Sequence, residues 1–487
     1  MSYLGIDIGT SGLRVLLVDD GGQALGAAEV GYPTAHLHPG WSEQDPKDWV
    51  LALDQAVAQL RETYRAFSEL KGIGISGHMH GATVLDDTGQ VLRPCILWND
   101  TRSAAQARML DAQTEFRKIS GNIVFPGFTA PKLQWLRDSE PELFAKIEKV
   151  VLPAGYMVHH LTGEFVADIS DSAGTAWMDM ANRDWSSTLL AAGHMRSDQM
   201  PRLREGSQAA GKLRQDLAQK WGLSSEICVS AGAADNAASA CGLGVMDAGQ
   251  GFVSLGTSGV LLIARDSYEP APEAALHTFC HAVPNRWYQM GVMLSAADSL
   301  SWLSTVTGTG PEALTRALGD RLIGPGRVMY FPYLSGERTP HNDADVRAGF
   351  VGIGKETSRE SLTQAVLEGV CYGLRDSLEA AHATGARIEQ LFAIGGGSKS
   401  RYWLSLLATV LNTPLHLPKS SEFGAALGAA RLGMAAAGGD LNSIMKAPPS
   451  GEIVQPVQSL VAEFDAAYDR FRAGYPILKS HPMEVAS

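Results

Sequence analysis

The chain has 487 residues, 45% of them apolar and 19% charged, which is long for one ordinary core and too evenly apolar for a disordered chain. Its formal charge of −12, without a concentrated basic patch, argues against a nucleic-acid or anionic-membrane partner. Cys95, Cys228, Cys241, Cys280 and Cys371 are odd in number and far apart, so they read as reduced core thiols, and no CxxC or HExxH spacing marks a zinc site. No charged-then-apolar leader opens the chain and no apolar run approaches about 18 residues, so a folded cytoplasmic body of two lobes is expected.

Tyr3 to Asp7 is a short apolar run that ends in Gly9-Thr10-Ser11-Gly12, and Leu13 to Val18 then alternates toward the turn Asp19-Asp20-Gly21-Gly22. A helix over Trp49 to Tyr64 leads into a strand at Gly72 to Ser76, followed by Gly77-His78-Met79-His80-Gly81. A second strand-like run, Cys95 to Trp98, ends in Asn99-Asp100-Thr101-Arg102. Cys228 to Ala234 reads as a strand running into Asp235-Asn236 and a helix rich in alanine. The opening pattern then returns, with Phe252 to Leu255, the turn Gly256-Thr257-Ser258-Gly259, and Val260 to Ala264. This repeat places a lobe boundary near Val245 and divides the chain into residues 1–245 and 246–487. A polar segment from Thr339 to Gly349 reads as a long functional loop. A helix over Leu362 to His382 precedes a strand at Gln390 to Ile394, the glycines Gly395-Gly396-Gly397, and a helix with Trp403, Leu406, Leu407, Val410 and Leu411 on one face. Strands alternate with helices in both halves, an α/β organisation.

The doubled turn is the strongest chemical signal. Glycine at each end admits a ligand close to the backbone, and threonine and serine add hydroxyl donors, a combination suited to phosphate. One copy alone reads sooner as a plain hairpin; two copies after equivalent strands point to Gly9, Thr10, Ser11, Gly12, Gly256, Thr257 and Ser258 facing a shared phosphate across a cleft. No GxxxxGK[ST] is present, and these turns lead into strands, so this is not a P-loop. Gly72, Gly74 and Gly77 match GxGxxG formally, but the match overlaps the strand and lacks the following helix, so it is not read as a dinucleotide fingerprint.

Asp7 lies two residues before the first turn, where the second half has Ser254. A carboxylate beside a phosphate needs a divalent cation between them, so Asp7 reads as a Mg²⁺ ligand; the plainer reading is an acceptor for turn amides. Asp235 at a helix start reads as an N-cap and also as the group that takes a proton from a substrate hydroxyl, and the helix N-terminus is expected to keep it ionised. Asn236 is expected to hydrogen-bond a neighbouring hydroxyl. Met79 and His80 offer mixed partners for sugar hydroxyls, whereas His78 reads as a structural histidine, and Trp98 is a candidate for the same pocket. Gly395, Gly396 and Gly397 suit an adenosine cradle, or serve only helix packing. On this reading the first half alone supplies the sugar pocket and the base.

The runs Gly5 to Gly12, Ser76 to Ala82, Ala234 to Ala238, Ser254 to Gly259 and Pro332 to His341 occur in one order and together resemble the bacterial xylulokinases, a family of carbohydrate kinases. The likeness extends from the first strand to the helix after Glu422. It implies two actin/hexokinase-like (ribonuclease H-like) lobes around a central cleft, with a sugar-binding and catalytic N-terminal lobe and a nucleotide-binding C-terminal lobe. It further implies that D-xylulose and MgATP give D-xylulose 5-phosphate, with Asp235 as proton acceptor, Asp7 near phosphates and metal, and Met79-His80 on the sugar. The chain departs from the family pattern at Gly232-Ala233-Ala234, at Ser405 and at Thr409, which bears on the adenosine contacts. The alternatives are a kinase of the same family acting on D-ribulose, L-xylulose or a polyol, and an actin-like nucleotide switch or sugar sensor. A homodimer is the family-level expectation.

Overall fold

A computed structural model describes residues 1–419, 424–448 and 450–480. Glu422 therefore lies outside the described residues. Ser2–Ile8 (β1), Gly12–Asp19 (β2) and Ala24–Gly31 (β3) form an antiparallel meander. Leu70–Gly77 (β4) runs parallel to β1 on its other side, followed outward by Cys228–Ser230 (β6) and Ala209–Lys212 (β5), and Ala233–Ala234 (β7) also pairs with β4. The sheet order is β5-β6-β4-β1-β2-β3.

The second half repeats this plan. Gln250–Leu255 (β8) and Gly259–Arg265 (β9) are antiparallel, and His277–Cys280 (β10) and Trp287–Met293 (β11) extend that side. Gln390–Ile394 (β12) and Leu415–Pro418 (β13) lie parallel on the other side of β8, and Ser450–Val454 (β14) closes the edge. Both sheets have seven strands. Their central strands are covered on both faces: in β1, Leu4, Ile6 and Ile8 are buried on one face, and Gly5 on the other lies against Ala426. This doubled α/β plan is the actin/hexokinase-like, ribonuclease H-like fold.

Local chemistry sets the helices. Pro46–Thr63 (α1) starts at Asp45, whose carboxylate accepts from Lys47 N, with Pro46 in the first turn; it buries Trp49, Leu53, Val57 and Leu60. Asp235–Leu243 (α2) and Gly424–Ala436 (α3) cross where the halves meet. A Cβ on Gly428 would lie 1.7 Å from the Ala238 carbonyl oxygen, and one on Gly242 would lie 2.1 Å from that of Gly424. The Arg431 guanidinium then donates to the carbonyls of Cys241 and Gly242 at 2.8 and 3.1 Å, closing the C-terminus of α2.

Helix α3 comes from the second half yet packs on the sheet of the first. A Cβ on Gly5 would meet the Ala426 carbonyl oxygen at 1.9 Å, and one on Gly74 that of Ala429 at 1.6 Å. The glycines of the formal GxGxxG thus serve helix-on-strand contact. Four cysteines are buried, Cys228 is partly buried, and none is in a disulfide. Among the described residues no helix is long and apolar enough to cross a membrane.

Candidate active site

Strands β1, β4 and β7 are mutually parallel, and the segment leaving the C-terminal end of each carries chemistry. The first turn follows β1, His78-Met79-His80 follows β4, and Asp235 follows β7. Carboxyl ends of parallel strands are where α/β sheets gather their ligands, so the topology alone converges these three segments. The second turn and Gly395 leave β8 and β12 in the same way.

Asp235 occupies the first turn of α2, with Ala234 at the capping position, so it is not the N-cap. Its Oδ1 accepts from Asn236 N at 2.7 Å and from Asn236 Nδ2 at 2.9 Å. The carboxyl was expected to stay ionised at the helix N-terminus. Burial and, second, the nearby Asp7 charge outweigh the dipole and push it up to about 7. Burial likewise pushes Asp7 up to about 6. Carboxyls raised toward neutrality are chemically able to exchange protons near physiological pH.

The two histidines after β4 part company. His78 is buried with its ring edge-on to Trp49, centroids 5.7 Å apart, and burial pushes it down to about 3, a neutral core residue. His80 adopts a left-handed φ of 70°, and its ring stacks on Phe128 at 4.6 Å. Burial pushes it down to about 3, so the ring is neutral. Its Nδ1 lies 2.7 Å from the Gly174 carbonyl oxygen, which fixes the proton on Nδ1 and leaves Nε2 as an acceptor. The His80 carbonyl accepts from Lys132 Nζ at 2.9 Å and from Thr129 Oγ1 at 3.1 Å. Lys132 is fully buried, and the sequence reading missed it; its one signal is a lysine among the buried Ala130, Leu133 and Leu136 of the helix Thr129–Ser139.

Trp98 is partly exposed, and its indole Nε1 donates to Thr10 Oγ1 at 3.0 Å, tying it to the first turn. That turn is further pinned by Gly9 N donating to Gly12 O at 3.0 Å and by Gln44 Nε2 donating to Thr10 O at 2.5 Å. The second is held by Ala297 N and Ala296 N, which donate to the carbonyls of Gly256 and Thr257 at 2.8 and 2.9 Å. The closing glycine of each turn has a packing reason. A Cβ on Gly12 would meet Val30 O at 2.8 Å, and one on Gly259 would meet the Met293 side chain at 2.9 Å.

Met79, His80, Trp98, Asp235, Asn236, Gly256 and Ser258 line a single cavity of about 300 Å³. Asp7, Gly9, Thr10, Ser11, Gly12, Thr257, Gly395, Gly396 and Gly397 do not line it, although Asp7 acts electrostatically on Asp235 and Ile394 reaches the wall. The cavity draws on both halves: Ser254, His277, Met290 and Arg338 come from the second, which corrects the expectation that the first supplies the pocket alone. Of the three glycines after β12, Gly395 and Gly397 are explained by close contact with Leu255, whereas Gly396 faces open space. The segment from Thr339 is anchored at its start: Thr339 N donates to Val292 O at 3.0 Å, and Thr339 Oγ1 donates to Ala275 O at 2.8 Å. That anchoring sets Arg338 in the wall.

Among the described residues no group of three or more His, Cys, Asp or Glu side chains is placed to hold a metal. A cation at Asp7 would take its remaining oxygens from phosphate and water, which is how Mg²⁺ is usually held beside nucleotides.

A two-lobed fold with a hydroxyl-bearing turn and a poised carboxyl sharing one cleft defines a sugar kinase. The chain belongs to the FGGY family of carbohydrate kinases, with residues 2–242 matching the N-terminal domain and 251–437 the C-terminal domain. It is 43% identical over 477 residues to the xylulose kinase of Escherichia coli (strain K12), covering 97% of this chain and 98% of that protein. The crystal structure of a "xyloylose kinase" from Brucella ovis superposes with a TM-score of 0.97 at 52% identity, covering 99% of this chain and 100% of that one. A gluconate kinase structure from Lactobacillus acidophilus superposes with a TM-score of 0.92 at 22% identity, over 98% of each chain, a likeness of fold alone.

Proposed function

We propose that this ATP-dependent sugar kinase phosphorylates D-xylulose, transferring the γ-phosphoryl group of ATP to the terminal sugar hydroxyl to give D-xylulose 5-phosphate. The observation that carries the reading is the convergence of Asp235, His80, Met79, Trp98 and Asn236 with Gly256 and Ser258 on one cavity. The extent of the likeness to xylulose kinases supports the substrate.

Asp235 orients the hydroxyl and accepts its proton, His80 Nε2 accepts from a second hydroxyl, and Asn236 fixes the Asp235 carboxylate. In a loose phosphoryl-transfer transition state this is mostly positioning, so a base of ordinary strength suffices. The two turns and Gly396 hold the nucleotide, with residues 1–245 as the sugar-binding lobe and 246–487 as the nucleotide-binding lobe. Asp7 holds Mg²⁺ directly or through water. When bound, the cation offsets phosphate charge and lets two carboxyls share the cleft with ATP. The enzyme works in the cytoplasm without nucleic acid or membrane, as a homodimer that sedimentation velocity would detect.

An assay of ADP release over a panel of pentuloses, hexuloses and polyols tests the substrate. D-Xylulose is expected to give the highest kcat/KM. D-Ribulose, L-xylulose or a polyol surpassing it would replace the assignment, because one hydroxyl can separate sugar isomers by about 10⁴ in a site built to bond it.

A further inference from the structure

Asp235 and Arg338 both line the cavity, and neither is among the charges that shift the other. The Asp235 carboxyl faces the charge of Asp7. The Arg338 guanidinium acts electrostatically on both His80 and His277 and lies 4.2 Å over the ring of Phe125. Arg338 is partly buried and lines the cavity.

Its side chain forms no hydrogen bond or ion pair among the described residues. The adjacent Glu337 acts on it electrostatically but makes no hydrogen bond or ion pair with its side chain: Glu337 Oε1 accepts from Leu294 N and Arg338 N at 3.0 and 2.7 Å. A guanidinium is a rigid fork of donors with no acceptor, and in Arg338 these donors open onto the cavity without a protein partner among the described residues. The wall around it offers neutral imidazole and phenyl rings, none of which supplies the oxygens it needs. A ligand reaching from Asp235 toward Arg338 fills that need if its far end carries oxygen.

Resting on the reading of the cleft as a ketose site, we propose that Arg338 is a substrate-binding residue that donates to the carbonyl-end oxygens of the sugar, opposite the hydroxyl held by Asp235. The planar carbonyl oxygen and the neighbouring hydroxyl present two acceptors side by side, which suits a planar fork better than the point charge of a lysine. Placing this group on the second half also makes sugar binding depend on both lobes.

Steady-state kinetics of Arg338→Met and Arg338→Lys with D-xylulose and MgATP test the assignment, with Phe125→Leu as the control for the ring contact. Removing a charged donor is expected to raise KM for D-xylulose about 10–100-fold in Arg338→Met, with only partial recovery in Arg338→Lys. KM for MgATP and the thermal transition are expected to stay near wild type, and Phe125→Leu to change KM for the sugar far less. A fall in kcat with KM for D-xylulose unchanged would assign Arg338 to the phosphoryl group instead and overturn the proposal. An equal effect from Phe125→Leu would reduce it to a packing contact and also overturn it. Wild-type enzyme that ignores ketoses defeats the functional reading and this contact with it; wild-type ketose kinase activity with Arg338→Met unaffected defeats the contact alone.

Discussion

The ammonium of Lys132 donates to the backbone carbonyl of His80 at 2.9 Å and to that of Gly127 at 2.6 Å. It thereby holds a non-glycine residue at a φ of 70°, a conformation that costs energy and persists only when its surroundings enforce it. The Gly174 carbonyl fixes the His80 ring and Phe128 stacks on it, so the residue expected on the sugar is clamped at backbone and side chain together.

Lys132→Met keeps the length of the side chain and removes its donors. It is expected to raise KM for D-xylulose roughly tenfold, as for loss of one charge-assisted bond, with KM for MgATP unchanged. A normal sugar KM in a folded variant would show that His80 holds its place without Lys132.

Asp235→Ala is expected to bind ATP normally and to lose about 10²–10⁴ in turnover, the range for a positioned acid or base. Isothermal titration with nucleotide and a coupled ADP assay separate the two effects. Near-normal turnover would remove the assignment.

The raised pKa of Asp235 makes a prediction about stability. A carboxyl raised on folding adds stability that is complete below its ordinary value of 3.8 and is lost as pH rises through about 7. Asp235→Asn removes that penalty, so its thermal midpoint is expected to exceed wild type at pH 8, the gap narrowing toward pH 5. A gap that is constant with pH would mean that Asp235 is not perturbed by burial. Stability given up at a working carboxyl is a common exchange for activity.

The same group sets the pH dependence of the reaction. In the proposed mechanism its ionised form accepts the proton, so kcat/KM for the sugar is expected to fall with decreasing pH through about 7. Rate measurements from pH 5.5 to 8.5 check this, and a flat profile would contradict a base near neutrality.

Glycines that look alike in sequence are expected to separate on substitution. Gly428→Ala places a Cβ 1.7 Å from a backbone oxygen at the α2–α3 crossing and is expected to cost about 1–3 kcal/mol or more in thermal denaturation. In Gly396→Ala the new Cβ meets nothing within 4 Å, so stability is expected to hold while KM for MgATP rises. An unchanged nucleotide KM would leave the Gly395–Gly397 turn with a packing role only.

Much of the fold was legible because its signals are local. The apolar run before Gly9, its counterpart before Gly256, and the alternation of strands and helices come from short-range periodicity, and β12 falls where the apolar run predicts it. The formal GxGxxG shows the limit of local signals. Gly72 and Gly74 admit α3, whose contacting residues lie more than 350 positions further along, and no spacing rule within the motif carries that fact.

The site divides in the same way. Asp235, Met79, His80 and Trp98 could be named from the sequence because each stands at or just beyond the end of a strand-like run, and parallel strands deliver their trailing segments to one edge. Sequence by itself thus determined the repeated architecture and which residues stand at the strand ends that meet in the cavity. Lys132 and Arg338, the basic groups that act on His80, lie outside that rule, one inside an apolar helix and the other in an irregular loop. Tertiary structure alone decided that they meet the same residue, and it alone decided that Asp235 is raised to about 7. Desolvation and charge proximity depend on what surrounds a group in three dimensions, and these neighbours come from distant parts of the chain.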